Sequence, residues 1–159
     1  QIREEAKSEH RSLSNYIETL LYRLGYRPYN EETLLACQEA RNGQSAGVVD
    51  TSSKESIISS ILGDNGTEDW VYQKIKKDLN RLRNNKDKLN KVANVIKMLA
   101  EGEDIPVSMK PHKLIGNYAG HLELHIEGDL LLIWLEKTEV GDITIYLVRL
   151  GSHSELFKK

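Results

Sequence analysis

The sequence predicts an α+β fold in which helices come first and an antiparallel sheet comes last. Three observations carry this reading. Apolar residues recur at helical spacing as far as Leu99. From Leu122 onward they alternate with polar ones, the period of a half-buried strand. Between two helical stretches, Gly63-Asp64-Asn65-Gly66 is rich in turn formers and divides the chain.

Residues 1–10 read as the end of a helix. Ser12 is the expected N-cap of a second, in which Leu13, Ile17, Leu20, Leu21 and Leu24 share a face. Gly25 ends it and Pro28 prevents its return. A third helix spans about Glu31 to Arg41, and Asn42 to Gly47 is a break. Val48-Val49 reads as a short extended piece. Ser52 and Glu55 then have the spacing of a capping box, opening a helix over residues 53–62 whose apolar face is Ile57, Ile58, Ile61 and Leu62.

After the turn-rich joint, Ile75, Leu79 and Leu82 mark one amphipathic helix, and Leu89, Val92, Val95, Ile96 and Leu99 mark another. Gly102 and Pro106 close the helical region. Leu122, Leu124 and Ile126 alternate with His121, Glu123 and His125. Leu130 to Glu136 and Ile143 to Leu150 make two further strands, joined at Gly141-Asp142. The two helices are expected on one face of the resulting meander. Ser152 and Glu155 form a second capping box, with His153 in the first turn of a terminal helix.

The chain has 159 residues, of which 39% are hydrophobic. That suffices for one ordinary domain or two small ones. No run approaches the ~18 apolar residues of a membrane-spanning helix. The opening residues are charged, unlike a signal peptide. Cys37 is the single cysteine, which fits a reducing cytoplasm and a buried small side chain rather than a nucleophile. The chain opens on Gln1 rather than Met and is read as a fragment.

The net charge of -2 hides an asymmetry. Residues 1–70 carry 7 basic and 12 acidic side chains, which leaves 15 basic and 12 acidic for the remainder. The stretch 71–100 alone has 9 basic against 2 acidic. The two halves should attract each other, and the second should meet a polyanion, unless its basic stretch is only a solvated helix face.

Four of the five histidines lie between His112 and His153. A metal ion is one reading, but on a strand His121 and His125 would stand roughly 13 Å apart, too far to share an ion. The alternative is acid–base chemistry without a metal or cofactor. RNA carries its own nucleophile, the 2′-hydroxyl. An enzyme need only take that proton, stabilise the phosphorane and protonate the leaving oxygen. Histidine suits the proton transfers and arginine the charge. His125 and Glu123 share the polar face of one strand, Arg149 lies late in the last, and His153 lies where free helix N–H groups would favour a phosphate.

The runs His112 to Gly120, Glu123 to Trp134 and Val148 to Phe157 resemble, in order and spacing, segments of YafQ-type toxins of the RelE superfamily. The resemblance covers residues 71–159. It implies a RelE-like fold and ribosome-dependent, metal-independent endoribonuclease cleavage of mRNA. The family's functional positions fall on His112, His125, Asp129, Arg149, His153 and Phe157. His125 and His153 would exchange protons, with acid and base unassigned. Asp129 would orient a histidine or act as base, Arg149 would stabilise the phosphorane, and His112 would contact phosphate. Phe157 would stack on a base or hold the terminal helix. Lys74, Lys76, Lys77, Arg81, Arg83, Lys86, Lys88 and Lys91 would grip RNA. The chain departs from the family in His121-Leu122 and Leu130, and in a poor first strand at residues 68–72.

In the first half, Arg11 to Ile17 resembles the second-helix start of RelB/DinJ-like ribbon-helix-helix antitoxins, and Gly47 to Ser53 their toxin-wrapping tail. A generic small helical domain is the other reading. The resemblance implies an antitoxin fragment at 1–66 and a toxin domain at 67–159. It implies contact through Ile57, Ile58, Ile61 and Leu62 within or between chains, and a homodimer through residues 12–24. The DNA-reading ribbon would precede Gln1, so DNA binding is not expected of the chain as written. The competing function is a catalytically silent module acting as a DNA-binding co-repressor. A natural fusion and an engineered pairing are equally compatible with the sequence.

Overall fold

The computed structural model describes residues 1–45, 47–63 and 74–158. The joint expected at 64–66 and the weak first strand expected at 68–72 lie outside the described residues.

Helices α1 (Ile2–Ser8) and α2 (Leu13–Arg23) pack on each other through Ala6 and Tyr16, whose hydroxyl donates to Glu5. The Ser12 hydroxyl caps α2 by accepting from Asn15 N–H. Gly25 follows at φ +87°, and a Cβ there would lie 2.5 Å from the carbonyl oxygen of Lys113. The N-terminal region therefore presses its backbone against the second half at that glycine. Helix α3 (Glu31–Arg41) is capped by the Asn30 side chain. Val48 and Val49 form no strand. Helix α4 (Lys54–Leu62) is capped by Ser53, which accepts from Ser56 N–H. The cap thus lies one residue beyond the expected Ser52, as a simple N-cap in place of the expected capping box of Ser52 and Glu55. Ser52 instead sits in the preceding bend, where its N–H donates to Asp50.

Helix α5 (Lys74–Asn80) and helix α6 (Lys86–Glu101) form the expected helical hairpin, and Gly102 ends α6 in the left-handed conformation. The strands are β1 (His112–Lys113), β2 (Leu122–Glu127), β3 (Leu130–Glu139) and β4 (Asp142–Gly151). They form one antiparallel sheet in the order β1-β2-β3-β4. Helix α7 (His153–Phe157) follows, with its capping box formed by Ser152 and Glu155.

The sheet is covered on both sides. One face packs Leu124, Ile126, Leu130, Leu132, Trp134 and Leu150 against α5, α6 and α4. Ile57 and Ile61 of α4 are buried in that core, and Ile58 and Leu62 lie partly buried beside it. The other face packs Leu131, Ile133, Leu135 and Val148 under Ala36, Cys37 and Ala40 of α3 and beside Leu156 and Phe157 of α7. The N-terminal region thus reaches both faces. It crosses between them beside the β3–β4 hairpin, where the Lys137 ammonium donates to the carbonyl of Arg41. No described helix is long and apolar enough to cross a membrane.

Candidate active site

Period-two geometry puts Glu123 and His125 of β2 on the face covered by α3. The β1–β2 register sets His112 opposite Glu123, with Nε2 to carboxylate 3.4 Å. The β2–β3 turn presents Asp129, and the capped start of α7 presents His153 beside it. The His153 ring donates from Nδ1 to Asp129 at 2.5 Å, and its backbone N–H donates to the same oxygen at 3.1 Å. The His125 and His153 rings lie 5.5 Å apart between centroids. Five residues from four elements therefore converge, and this part of the sequence-predicted set is brought together.

Burial pushes the His125 imidazole below its usual range; the Gly128 carbonyl and Glu123 oppose this in part, and the neighbouring His153 and Lys110 add to it. Burial opposes ionisation of Asp129, but the hydrogen bonds and charge of His153 prevail and hold its carboxyl below the usual carboxylate range. Donor atoms of Glu123, His125 and His153 all lie within 4.8 Å of one another, so these three could hold a metal ion. The sequence expectation named no metal and tested only His121 with His125. His121 is instead fully buried one residue before β2, its Nδ1 at Tyr118 O and its Nε2 without a partner among the described residues.

Three other expectations change. Arg149 does not face the site: it is 1% exposed and bonds Asp78 of α5 at 2.6 and 3.1 Å and the Thr33 hydroxyl of α3 at 3.0 Å. Phe157 is fully buried, edge-on to Tyr118 at 5.3 Å and covered by the Arg27 guanidinium at 5.5 Å, so in the closed chain it fills the second of its two expected roles and holds the terminal helix. Three of the N–H groups at the start of α7 are not free for a phosphate. Those of Ser152, His153 and Glu155 already donate to Glu155, Asp129 and Ser152.

The basic stretch is divided. Lys74 and Lys77 pair with Glu39 and Glu32 of α3, Arg81 with Asp78 and Glu155, and Lys91 with Glu127. Lys76 donates to the carbonyl of Gly63. Arg83, Lys86 and Lys88 make no ion pair among the described residues. Lys88 and Arg81 line a groove of about 630 Å³ that also borders Asp129 and Ser152.

Sequence reasoning missed the N-terminal residues that enter the site. Arg27, in the loop between α2 and α3, forms a buried ion pair with Glu123 at 2.6 Å. Tyr22 stands edge-on to His153 at 6.1 Å. Between α2 and the sheet a pocket of about 450 Å³ remains, lined by Arg23, Lys110 and the imidazoles of His112, His125 and His153 among others. The available signal was Tyr26-Arg27-Pro28-Tyr29, a lone arginine set between aromatics in a turn of an acidic segment.

A sequence model of the family described as bacterial toxin of type II toxin–antitoxin system, YafQ, matches residues 70–158. No curated protein sequence matches the chain. Among solved structures, a metal-bound toxin from Helicobacter pylori is 39% identical over 54% of this chain and 92% of its own, with a TM-score of 0.48. A copper-bound mutant toxin from Helicobacter pylori is 34% identical over 54% and 92%, at 0.47. The DinJ–YafQ complex of E. coli is 24% identical over 53% of this chain and 90% of the matched chain, at 0.47. The family match takes in the two-helix hairpin, the whole sheet and α7, more than half of the chain, and the chain therefore belongs to the YafQ family of type II toxin–antitoxin toxins.

Proposed function

We propose that residues 67–159 cleave mRNA on the ribosome without a metal ion, and that residues 1–66 are the neutralising part of an antitoxin that holds the intact chain inactive. The observation that carries the first part is the convergence of His112, Glu123, His125, Asp129 and His153 on one sheet face. Burial keeps His125 neutral near pH 7, which suits it to take the 2′-hydroxyl proton. Asp129 orients His153 and faces positive charge that develops on it, which suits His153 to protonate the leaving 5′-oxygen. His112 and Lys110 border the space a phosphate would occupy. Arg149 would join them only after α3 departs, because Thr33 and Glu32 of α3 now cover it.

The second part rests on coverage. Arg27 and Tyr22 enter the site, α3 lies over its sheet face, and α4 buries Ile57 and Ile61 on the opposite side. The joint makes this pairing intramolecular, so a high effective concentration favours the closed form. Contact could equally be exchanged between two chains, and the exposed Ile17 and Leu21 of α2, with Leu24 at its C-cap, suit a homodimer. Arg83, Lys86 and Lys88 are the residues we assign to ribosomal RNA, and their binding should weaken with salt.

The test is cleavage of mRNA on purified ribosomes after the chain is cut between Gly63 and Gly66 and the halves are separated. Cutting should appear with the second half and fall by about 10²–10⁴-fold in a His125→Ala, His153→Ala variant. Undiminished cutting by that variant removes the assignment. Inactivity throughout, with sequence-specific retention of an operator fragment in a gel, would favour the silent co-repressor.

A further inference from the structure

Arg27 is placed with unusual completeness for a side chain that begins in a loop. A guanidinium has five N–H donors and no acceptor. Here Nε donates to Glu123 Oε2 at 3.3 Å, and Nη1 to the carbonyls of Tyr22 and Tyr26 at 2.8 and 2.9 Å. Nη2 donates to Glu123 Oε1 at 2.6 Å and reaches His112 Nε2 at 3.1 Å. Its central carbon also lies over two rings, Tyr22 at 5.0 Å and Phe157 at 5.5 Å. Its side chain is 3% exposed and that of Glu123 is 0% exposed. All five donors have an acceptor, and the carboxylate is held by a two-pronged contact.

We infer that the catalytic face of the second half carries a guanidinium-recognition site, made of the Glu123 carboxylate, His112 Nε2 and the Phe157 ring, which Arg27 fills in the closed chain. The chemistry selects a planar fork rather than a positive charge alone. An ammonium is a compact point charge with three donors and cannot span both carboxylate oxygens while lying flat on a ring. Because arginine accepts nothing, His112 Nε2 must be the acceptor. Its proton then sits on Nδ1, which faces the carbonyl of Lys110 at 2.8 Å. Arg27 thereby takes up the lone pair of one site histidine and the charge of the site carboxylate together. Occupancy and catalysis exclude each other, a consequence that rests on the nuclease reading above; the recognition site itself does not.

The experiment is chemical rescue in the full chain. Arg27→Ala removes the guanidinium and leaves Glu123 buried without its partner, so Tm should fall. N-ethylguanidinium chloride at millimolar concentration should raise Tm again and restore the nitrogen NMR signature of a His112 protonated on Nδ1. Ethylammonium chloride at the same concentration should do neither. If Arg27→Ala does not fold unaided, folding should return with the first salt and not the second. Arg27→Lys should recover less than half of the lost Tm, and an Arg27→Ala, Glu123→Gln chain should lose the response to N-ethylguanidinium. Equal rescue by the two salts, no response to either, or an Arg27→Lys chain matching the parent overturns the inference. These readouts are of folding and of the His112 tautomer, so they do not depend on RNA cleavage, and failure of the nuclease reading leaves the recognition site standing.

Discussion

On one face of the sheet, Leu124, Ile126, Leu132, Trp134 and Leu150 meet the apolar sides of α6 and α4, and among the described residues the sheet places no buried charged side chain on that face. On the other face, Glu123 and Arg149 are buried as charges, with His121 beside them. The shortest ion pair of each charge is with a side chain from far along the sequence: Glu123 with Arg27 and Arg149 with Asp78. The first face is held by area removed from water, which is indifferent to which apolar residue supplies it. The second is held by particular partners, since an unmatched buried charge costs more than its pair contributes. The face with the chemistry is therefore the one whose stability depends on single residues outside the sheet.

The largest expected effect tests that asymmetry directly. Asp78→Ala strands Arg149 and leaves Leu150 N–H, which also donates to Asp78, without its acceptor. It should cost about 3–5 kcal/mol in urea unfolding, whereas an Asp78→Leu, Arg149→Met chain should lose far less. If both chains lose equally, the matched charge is not what holds this face. Next comes Leu132→Ala on the apolar face, where the side chain is fully buried. It should cost about 2–5 kcal/mol. Leu132→Met should cost under about 1.5 kcal/mol, the tolerance that the charged face lacks.

The same contrast explains what could be read in the sequence. The apolar face was legible because its signals are local and periodic: Leu122, Leu124 and Ile126 at period two, and Leu89, Val92, Ile96 and Leu99 at helical spacing. Caps were legible for the same reason at Ser12, Gly102 and Ser152. At Ser52-Ser53 two adjacent hydroxyls offer the same local signal, and the choice of Ser53 sets the helical phase that buries Ile57 and Ile61. The charged face was half legible. His125, Asp129 and His153 fall near one another because adjacent strands and their turn bring them there. Alternation also marked Glu123 and His121 as polar and outward, yet both are buried, because α3 and the Arg27 loop lie over them. Arg149 was expected to meet phosphate and instead meets Asp78, 71 residues away. No local pattern encodes such a pair.

Ser152→Ala should have a smaller effect on stability and a larger one on activity. The hydroxyl accepts from Glu155 N–H and completes the box that starts α7. Losing it should cost about 0.5–2 kcal/mol. Because His153 is the first residue of that helix, the His153–Asp129 contact should loosen as well. The measurements are unfolding in urea and mRNA cleavage by the separated second half. A drop in stability without any drop in cleavage would mean that Asp129 alone positions His153.

The smallest effect is a slope rather than a step, and it should come from the charged face alone. Burial first, and the Arg41 guanidinium second, push the His121 imidazole below its usual range. The backbone groups of Tyr118, Ala119 and Cys37 offset this only in part, and the Cys37 thiol, pushed up to about 12 by burial, stays neutral. As pH falls through about 6.5, His121 takes up a proton in the unfolded chain but not in the folded one. The unfolded state then binds more protons, so stability falls with falling pH until the lowered folded value is passed. The contribution is fully present above about 6.5 and is lost below it. One group changes stability by at most about 1.4 kcal/mol per pH unit. His125 is shifted the same way by burial, so the parent chain loses stability through both. His121→Gln removes one of the two, and urea unfolding between about pH 7 and 5 should give a shallower slope than the parent. An unchanged slope would mean that His121 is protonated as readily beneath α3 as in the unfolded chain. The burial of that imidazole by α3 would then not be what sets the pH response of this face.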